Sequence, residues 1–375
     1  MNRRTLLKGA AATAAVGAMG LRRPSKSMAA RLIQRELPMY EIVSFFVSDQ
    51  FVAVGDQNWR GVARDIADDG TIFGDTVVDG IMTPTLWDAN LVATYPDMGP
   101  YVGQHAYGGY INKLGRGIGN LIPPALFMTE AQAQGVDAEA TILFWDDGQL
   151  NTNLSGSLPP DSGINTLTES GLMLGTMSKT PARWIDDVAD SLTMPDGYMS
   201  GGYRSISSLG DAAGTLYRSE EPFTGGVPFV MSAAGELATF DPPAGDRDTW
   251  VGRLQVFDLA DDGSFAVVVR GEEDLFGQAY RYINGAPTPI ADLNGEGMFI
   301  RDSNENGVMV GQSMLNGISI PTMWVDDQPQ VIADLIVPGP DLLFMNVQAI
   351  NDAGTMVGEA QDSAGLMHHV VLRAV

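Results

Sequence analysis

One short phrase recurs along this chain and governs what it can fold into. Residues 349–360 read AINDAGTMVGEA: an apolar residue, a polar turn closing on glycine, an apolar pair and a second glycine. Close variants are DIADDGTIFGDT, YINKLGRGIGNL and DSNENGVMVGQS. Aligned on the turn glycine, the copies centre on Gly70, Gly115, Gly171, Gly214, Gly263, Gly307 and Gly354, at intervals of 45, 56, 43, 49, 44 and 47 residues. Repetition at such a period marks units that bury their faces only against neighbours.

Most copies place an apolar residue four positions before the turn glycine (Ile66, Ile111, Leu167, Leu259, Ile350), with Gly210 and Ser303 as exceptions. Five copies place a second glycine four positions after it, at Gly74, Gly119, Gly175, Gly311 and Gly358. A short apolar segment ending in a large residue follows, as in PTLW, ILFW, PARW, PFVM, AYRY and PTMW. A polar turn then leads to a last apolar segment. Asp, Asn and Gly suit tight turns between strands, so each copy reads as four antiparallel strands. Stacked radially, such units make an all-β propeller, with seven blades expected. The last copy, ending HHVVLRAV, lacks a fourth strand, and MYEIVSFFV near the start is a strand to spare. The N-terminal strand is therefore expected to complete the last blade.

The pattern resembles the HAF repeat family, over roughly residues 60–375. That resemblance implies propeller-like repeats on exported bacterial proteins. The chain departs from the namesake motif, since no copy carries His-Ala-Phe.

Residues 2–20, NRRTLLKGAAATAAVGAMG, pair Arg3 and Arg4 with a following Leu-Leu-Lys and a weakly apolar stretch. The pattern resembles a twin-arginine export signal, and a membrane span would need roughly 20 apolar residues. Residues 1–29 are read as the signal and 30–375 as a single propeller domain, periplasmic or extracellular, with no integral membrane segment after signal removal. The net charge of -24 arises from 22 basic against 46 acidic residues, a balance unsuited to nucleic acid. With no cysteine, disulfides and thiolate chemistry are excluded.

The repeated turns fall on one rim, and the long, variable loops on the other. Loops YPDMGPYVGQHAYGGY, PDGYMSGGYR and DPPAGDRDTWVGR, with the insertion Leu121–Ala140, enrich that second rim in Gly, Tyr and Trp. Such aromatics either wedge blade against blade, the simpler reading, or contact a ligand. Basic residues recur at equivalent places: Arg60, Arg204 and Arg253 ten positions before their turn glycines, Arg64 and Arg301 six before. They would suit an anionic ligand, but Asp65, Asp258 and Asp302 stand close in sequence, so structural bracing is the expectation. The candidate ligand-binding residues are Trp59, Arg60, His105, Tyr107, Tyr110, Tyr203, Arg204, Trp250 and Arg253.

No catalytic constellation stands out. The three histidines, His105, His368 and His369, lack zinc spacing, and DSNENG ends its calcium-like loop on Ser313 where Glu is needed. No nucleophile elbow or Walker motif occurs, and no cofactor or metal is expected. The sequence favours an exported binding propeller whose partner is a small molecule, glycan or protein. The alternative is an exported hydrolase or lyase acting on a polysaccharide, ester or lactone. Replacing Arg3 and Arg4 together by Lys is expected to hold the protein in the cytoplasm, as read by cell fractionation; normal export of the double variant would contradict the signal.

Overall fold

The computed structural model describes residues 37–47, 51–54, 57–122, 141–152, 155–157, 159, 162–185, 188–218, 226–243, 253–271 and 276–375. They form a seven-bladed β-propeller of antiparallel sheets. The innermost strands of blades 1 to 7 are Val62–Ile66, Ala106–Ile111, Gly163–Leu167, Ser200–Ile206, Arg253–Phe257, Met298–Ser303 and Leu342–Ile350. Each lies against the next, and that of blade 7 lies against that of blade 1. The second strands, such as Ile72–Val78 and Phe265–Arg270, are buried over most of their length because a neighbouring blade covers each face. No helix of the described residues is long and apolar enough to cross a membrane.

The ring closes as expected. Tyr40–Val47 pairs antiparallel with Met367–Ala374 as the outermost strand of blade 7, from Tyr40 opposite Ala374 to Val47 opposite His368. Tyr40 and Ile42 are buried. Phe45 meets the edge of Trp87 in blade 1 at 5.4 Å, and Phe46 stacks on the buried His369 at 5.3 Å. A hairpin absent from the sequence reading, Phe51–Val54 with Gln57–Arg60, occupies the path from this outer strand inward to blade 1.

Three kinds of clamp join blade to blade. The third-strand aromatics donate to the loop that leaves the preceding blade: Trp145 Nε1 to the Asp97 carbonyl at 2.7 Å, Tyr282 Oη to Asp241 at 2.6 Å, Trp324 Nε1 to Ala291 at 2.9 Å. The asparagine of the repeated turn donates Nδ2 to the equivalent carbonyl of the next blade, Asn112 to Thr168, Asn304 to Asn351 and Asn351 to Ala67. Its Oδ1 meanwhile accepts from its own turn, as Asn351 does from Thr355 N. Finally, Asp65 accepts from Ile111 N and Asp302 from Ile350 N, each at 2.8 Å. Pairing every one of these polar groups lets them be enclosed between blades at little cost.

Deleting residues 37–47 removes the outermost strand of blade 7 and bares an edge. A large fall in melting temperature with aggregation is expected, well beyond the cost of Asn351→Ala, about 1–3 kcal/mol for one buried clamp. An unchanged melt of the deletion would contradict closure by this strand.

The clamps also give stability a pH dependence. Burial, with repulsion from Asp302, raises Asp65 to about 7 against the pull of its backbone donors, and burial raises Asp302 to about 6. A carboxyl with a raised folded pKa contributes fully below its unfolded value of about 4, and that contribution is lost as pH climbs through the folded pKa. His369 runs the other way: burial lowers it to about 4, so its contribution is complete above its unfolded value and lost as pH falls towards 4. Between about pH 6.5 and 8 the carboxyls dominate. Melting temperature is expected to be higher at about pH 6.5 than at about pH 8, and Asp65→Asn should flatten that slope. A melt that rises towards pH 8 would contradict the assignment.

Candidate functional site in the channel

The geometry of the site begins with a glycine. In the second strand of six blades, at Gly74, Gly119, Gly175, Gly214, Gly311 and Gly358, a Cβ would overlap an innermost-strand carbonyl oxygen, in order that of Val62, Tyr107, Gly163, Gly202, Phe299 and Asn346. In those same six blades the innermost strand carries a β-bulge just beyond that carbonyl. Blade 5 has Val267 in place of the glycine, and its innermost strand pairs without a bulge. The close approach and the extra residue thus occur together.

This corrects the alignment of the fourth repeat. Its turn glycine is Gly210, with φ +86, and Gly214 is the second glycine within strand Ala212–Tyr217. Ile206 then takes the apolar place four residues before the turn. Arg204 moves as well: it stands six before its turn glycine, in the layer of Arg64 and Arg301, and not with Arg60 and Arg253. All three are the bulged, unpaired residues of their strands, as are Gly109, Asn165 and Gln348 in the other bulged blades. The bulge re-aims this layer towards the channel.

The expected bracing by neighbouring aspartates is not what forms. Asp65 and Asp302 are engaged by backbone N–H groups, and Asp258 by Arg281. Arg64 Nε pairs with the buried Asp75 at 2.8 Å, with its guanidinium 5.0 Å from the Tyr107 ring centroid. Arg60 Nη2 pairs with Glu359 of blade 7 at 3.0 Å, and Asn346 also donates to Glu359. No carboxylate of the described residues pairs with Arg204 or Arg301. Arg301 lies 5.2 Å from the Phe299 ring centroid and is exposed to solvent, yet enclosure by protein and the nearby Arg64 charge lower its pKa. Openness to water together with enclosure is what a channel provides. Tyr110, five before its turn glycine, has its hydroxyl pKa raised by burial and feels the charges of Arg204, Asp65 and Asp302 from three other blades. It therefore reaches into the same space.

Below the arginine layer, the residues two before each turn glycine form a second, acidic layer at the turn rim. Glu169 of blade 3 accepts from Asp68 N at 3.1 Å and from Lys113 N at 2.6 Å. Asp352 accepts from Glu305 N and Asp68 from Asp352 N, while Ser208 donates to Asp261. Lys113 Nζ sits 3.3 Å from Asp68. Burial raises the carboxyls of Glu305 and Asp352, with repulsion from Asp352 and Asp68 on the first and from Asp68 on the second. These links draw across the channel mouth on that rim and make it unwelcoming to anions.

The other sequence candidates are placed as follows. His105 is half-buried, with Nδ1 accepting from Met82 N at 3.2 Å. Tyr203 is buried to 3% against Phe229, so it wedges the blade and is not available to a ligand. Trp250 and the side chains of Trp59 and Arg253 lie outside the described residues, as does most of the Leu121–Ala140 insertion. The structure brings together Arg64, Tyr107, Tyr110, Arg204 and Arg301. Phe299, Asp75 and Glu359 were missed by sequence reading, although the second glycine marks the place of the last two, one residue beyond it. No group of three His, Cys, Asp or Glu among the described residues is placed to hold a metal ion.

No protein-family model matches the chain, and no curated protein matches it. Solved structures are similar in fold. One, from a structural and mechanistic analysis of two prolyl endopeptidases, aligns with TM-score 0.57 at 10% identity, over 83% of this chain and 46% of that one. This chain thus spans about half the length of that protein. A gluconolactonase from Xanthomonas campestris aligns with TM-score 0.37 at 12% identity, over 89% of this chain and 100% of that one. TolB from Acinetobacter baumannii aligns with TM-score 0.38 at 13% identity, over 84% and 80% of the two chains. At 10% identity the first of these alignments is a likeness of fold alone.

Proposed function

We propose that this protein is an exported, non-catalytic propeller of HAF type that binds an acidic ligand in its channel, entered from the long-loop rim. The observation that carries this reading is the absence of any carboxylate partner for Arg204 and Arg301 among the described residues, in a chain of net charge -24. Acids stand next to both in sequence or space, but they are engaged elsewhere: Asp302 and Asp65 on backbone, Asp75 on Arg64, Glu359 on Arg60. Cations held open in this way are preorganised for an anion from outside.

A binding role is favoured over the hydrolase or lyase reading by the state of the histidines. His105 is held by Met82 N, His368 lies between Ser44 and Asp362, and His369 is fully buried behind Phe46. The overall negative charge disfavours nucleic acid, and a small molecule, glycan or protein bearing one acidic group remains compatible, since long-range repulsion is screened beyond about 8 Å in physiological salt. The twin arginines at positions 3 and 4 support export.

Gly163 offers a test that leaves every arginine in place. It begins the innermost strand of blade 3, at the position matching Val62, Tyr107 and Phe299, and a Cβ there would meet nothing within 4 Å. Gly163→Trp is expected to fold with a nearly native melting temperature while obstructing the channel. Phosphate, sulfate and galacturonate, titrated calorimetrically, should all bind at least about tenfold more weakly, roughly the cost of one lost contact. Unaltered titrations of a folded variant would place any anion site elsewhere.

A further inference from the structure

We infer that the group held at the arginine layer is a doubly charged tetrahedral oxyanion: free phosphate or sulfate, or a phosphate carried as an ester on a larger molecule. This rests on the channel-binding reading above and adds the ligand's chemistry.

The first argument is charge. Arg64 is compensated by Asp75 at 2.8 Å, and the nearby Glu359 is compensated by Arg60 at 3.0 Å. Arg204 and Arg301 have no carboxylate partner among the described residues. Arg204 and Arg301 are thus the two guanidiniums of the layer outside any ion pair, and a dianion offers a charged oxygen to each where a single carboxylate is satisfied by one.

The second argument is direction. Arg64, Arg204 and Arg301 occupy the same bulge position in the innermost strands of blades 1, 4 and 6 of seven, on three sides of the ring. A carboxylate offers two oxygens in one plane and is satisfied by the fork of one arginine. A tetrahedral oxyanion offers oxygens to three sides at once, and a phosphate ester carries about -1.5 to -2 charges at neutral pH. Tyr110 directly follows Gly109, the bulge residue of blade 2, and adds a neutral hydroxyl beside the layer.

The third argument is depth and space. The carboxylates of Asp65, Asp302, Glu169, Glu305 and Asp352 lie towards the turn rim and repel an anion from passing further. Above the layer, Gly163 in blade 3 carries no side chain, with nothing within 4 Å of where a Cβ would stand, at the position where blades 2 and 6 carry Tyr107 and Phe299. Room for the rest of an ester is thus on that side, facing aromatic rings on the other, an arrangement suited to a sugar or other compact body.

The test is calorimetric titration of the full mature chain with sulfate, inorganic phosphate, glucose 6-phosphate and galacturonate. Sulfate and both phosphates are expected to bind, with galacturonate at least about tenfold weaker. Arg204→Ala and Arg301→Ala should each weaken the oxyanions about tenfold or more, the range for a lost charge-assisted hydrogen bond. Arg301→Lys, which keeps the charge but loses the fork, should weaken them at a native melting temperature, and Arg183→Ala, remote on a third strand, should not. Tighter binding of glucose 6-phosphate than of phosphate assigns the group to a larger molecule; equal affinity assigns the free ion; both support the inference. Galacturonate binding as tightly as the oxyanions, and still sensitive to Arg204 and Arg301, overturns the oxyanion class while leaving the channel site standing. Indifference of every titration to Arg204 and Arg301 overturns both.

Discussion

The contact on which the rest depends is the one between a second-strand glycine and the carbonyl it lies beneath. At Gly74, Gly119, Gly175, Gly214, Gly311 and Gly358 the innermost strand comes so close that a Cβ has no place. The bulge beside it inserts one residue without a partner, and the strand's alternation of faces is reset at that point. Blade 5 serves as the internal control. With Val267 instead of glycine, its innermost strand pairs regularly, and the residue six before its turn, Phe257, is buried. In five of the six bulged blades this position then carries a polar residue, with Gly109 the exception, whereas blade 5 keeps an apolar one in its core.

The channel follows from this as a stack of charged layers. Side chains of the bulge layer point where no acid of their own strand can neutralise them, because the adjacent Asp65 and Asp302 are turned towards the next blade and accept its backbone. Those aspartates belong to the joints of the ring, not to the arginines. The turn rim gathers carboxylates two residues before five of the seven turn glycines, and those of blades 1, 3, 6 and 7 are tied together by backbone donors. A cationic waist above an acidic end gives the channel a polarity: an anion can rest at the waist but gains nothing by moving on.

Most of the architecture was legible in the sequence because it is written seven times. The Asn-Asp-x-Gly turn, the second glycine and the third-strand aromatic each perform a task the structure now explains: turn, close approach, and a clamp on the preceding blade. The closing strand was legible from what the last repeat lacked. The fourth repeat was misaligned because LGDAAG offers two glycines four apart, Gly210 and Gly214, and only the apolar Ile206 distinguishes them. The arginines' partners were illegible for a different reason. Sequence proximity pointed to Asp65 and Asp302, whereas Asp75 and Glu359 reach the arginines across strands and across the ring closure, 11 and 299 residues away. Tyr203 shows the same limit: an aromatic in a glycine-rich loop reads as a ligand contact until the strand register buries it against Phe229.

The most direct measurement is the anomalous diffraction of crystals soaked in selenate, a tetrahedral dianion with a scattering edge of its own. The expected result is a selenium peak in the channel within hydrogen-bonding reach of Arg204 and Arg301, with Asp65 and Asp302 still bound to the backbone of the next blade. A channel without selenium, in which those two guanidiniums are paired with carboxylates of the protein, would contradict it.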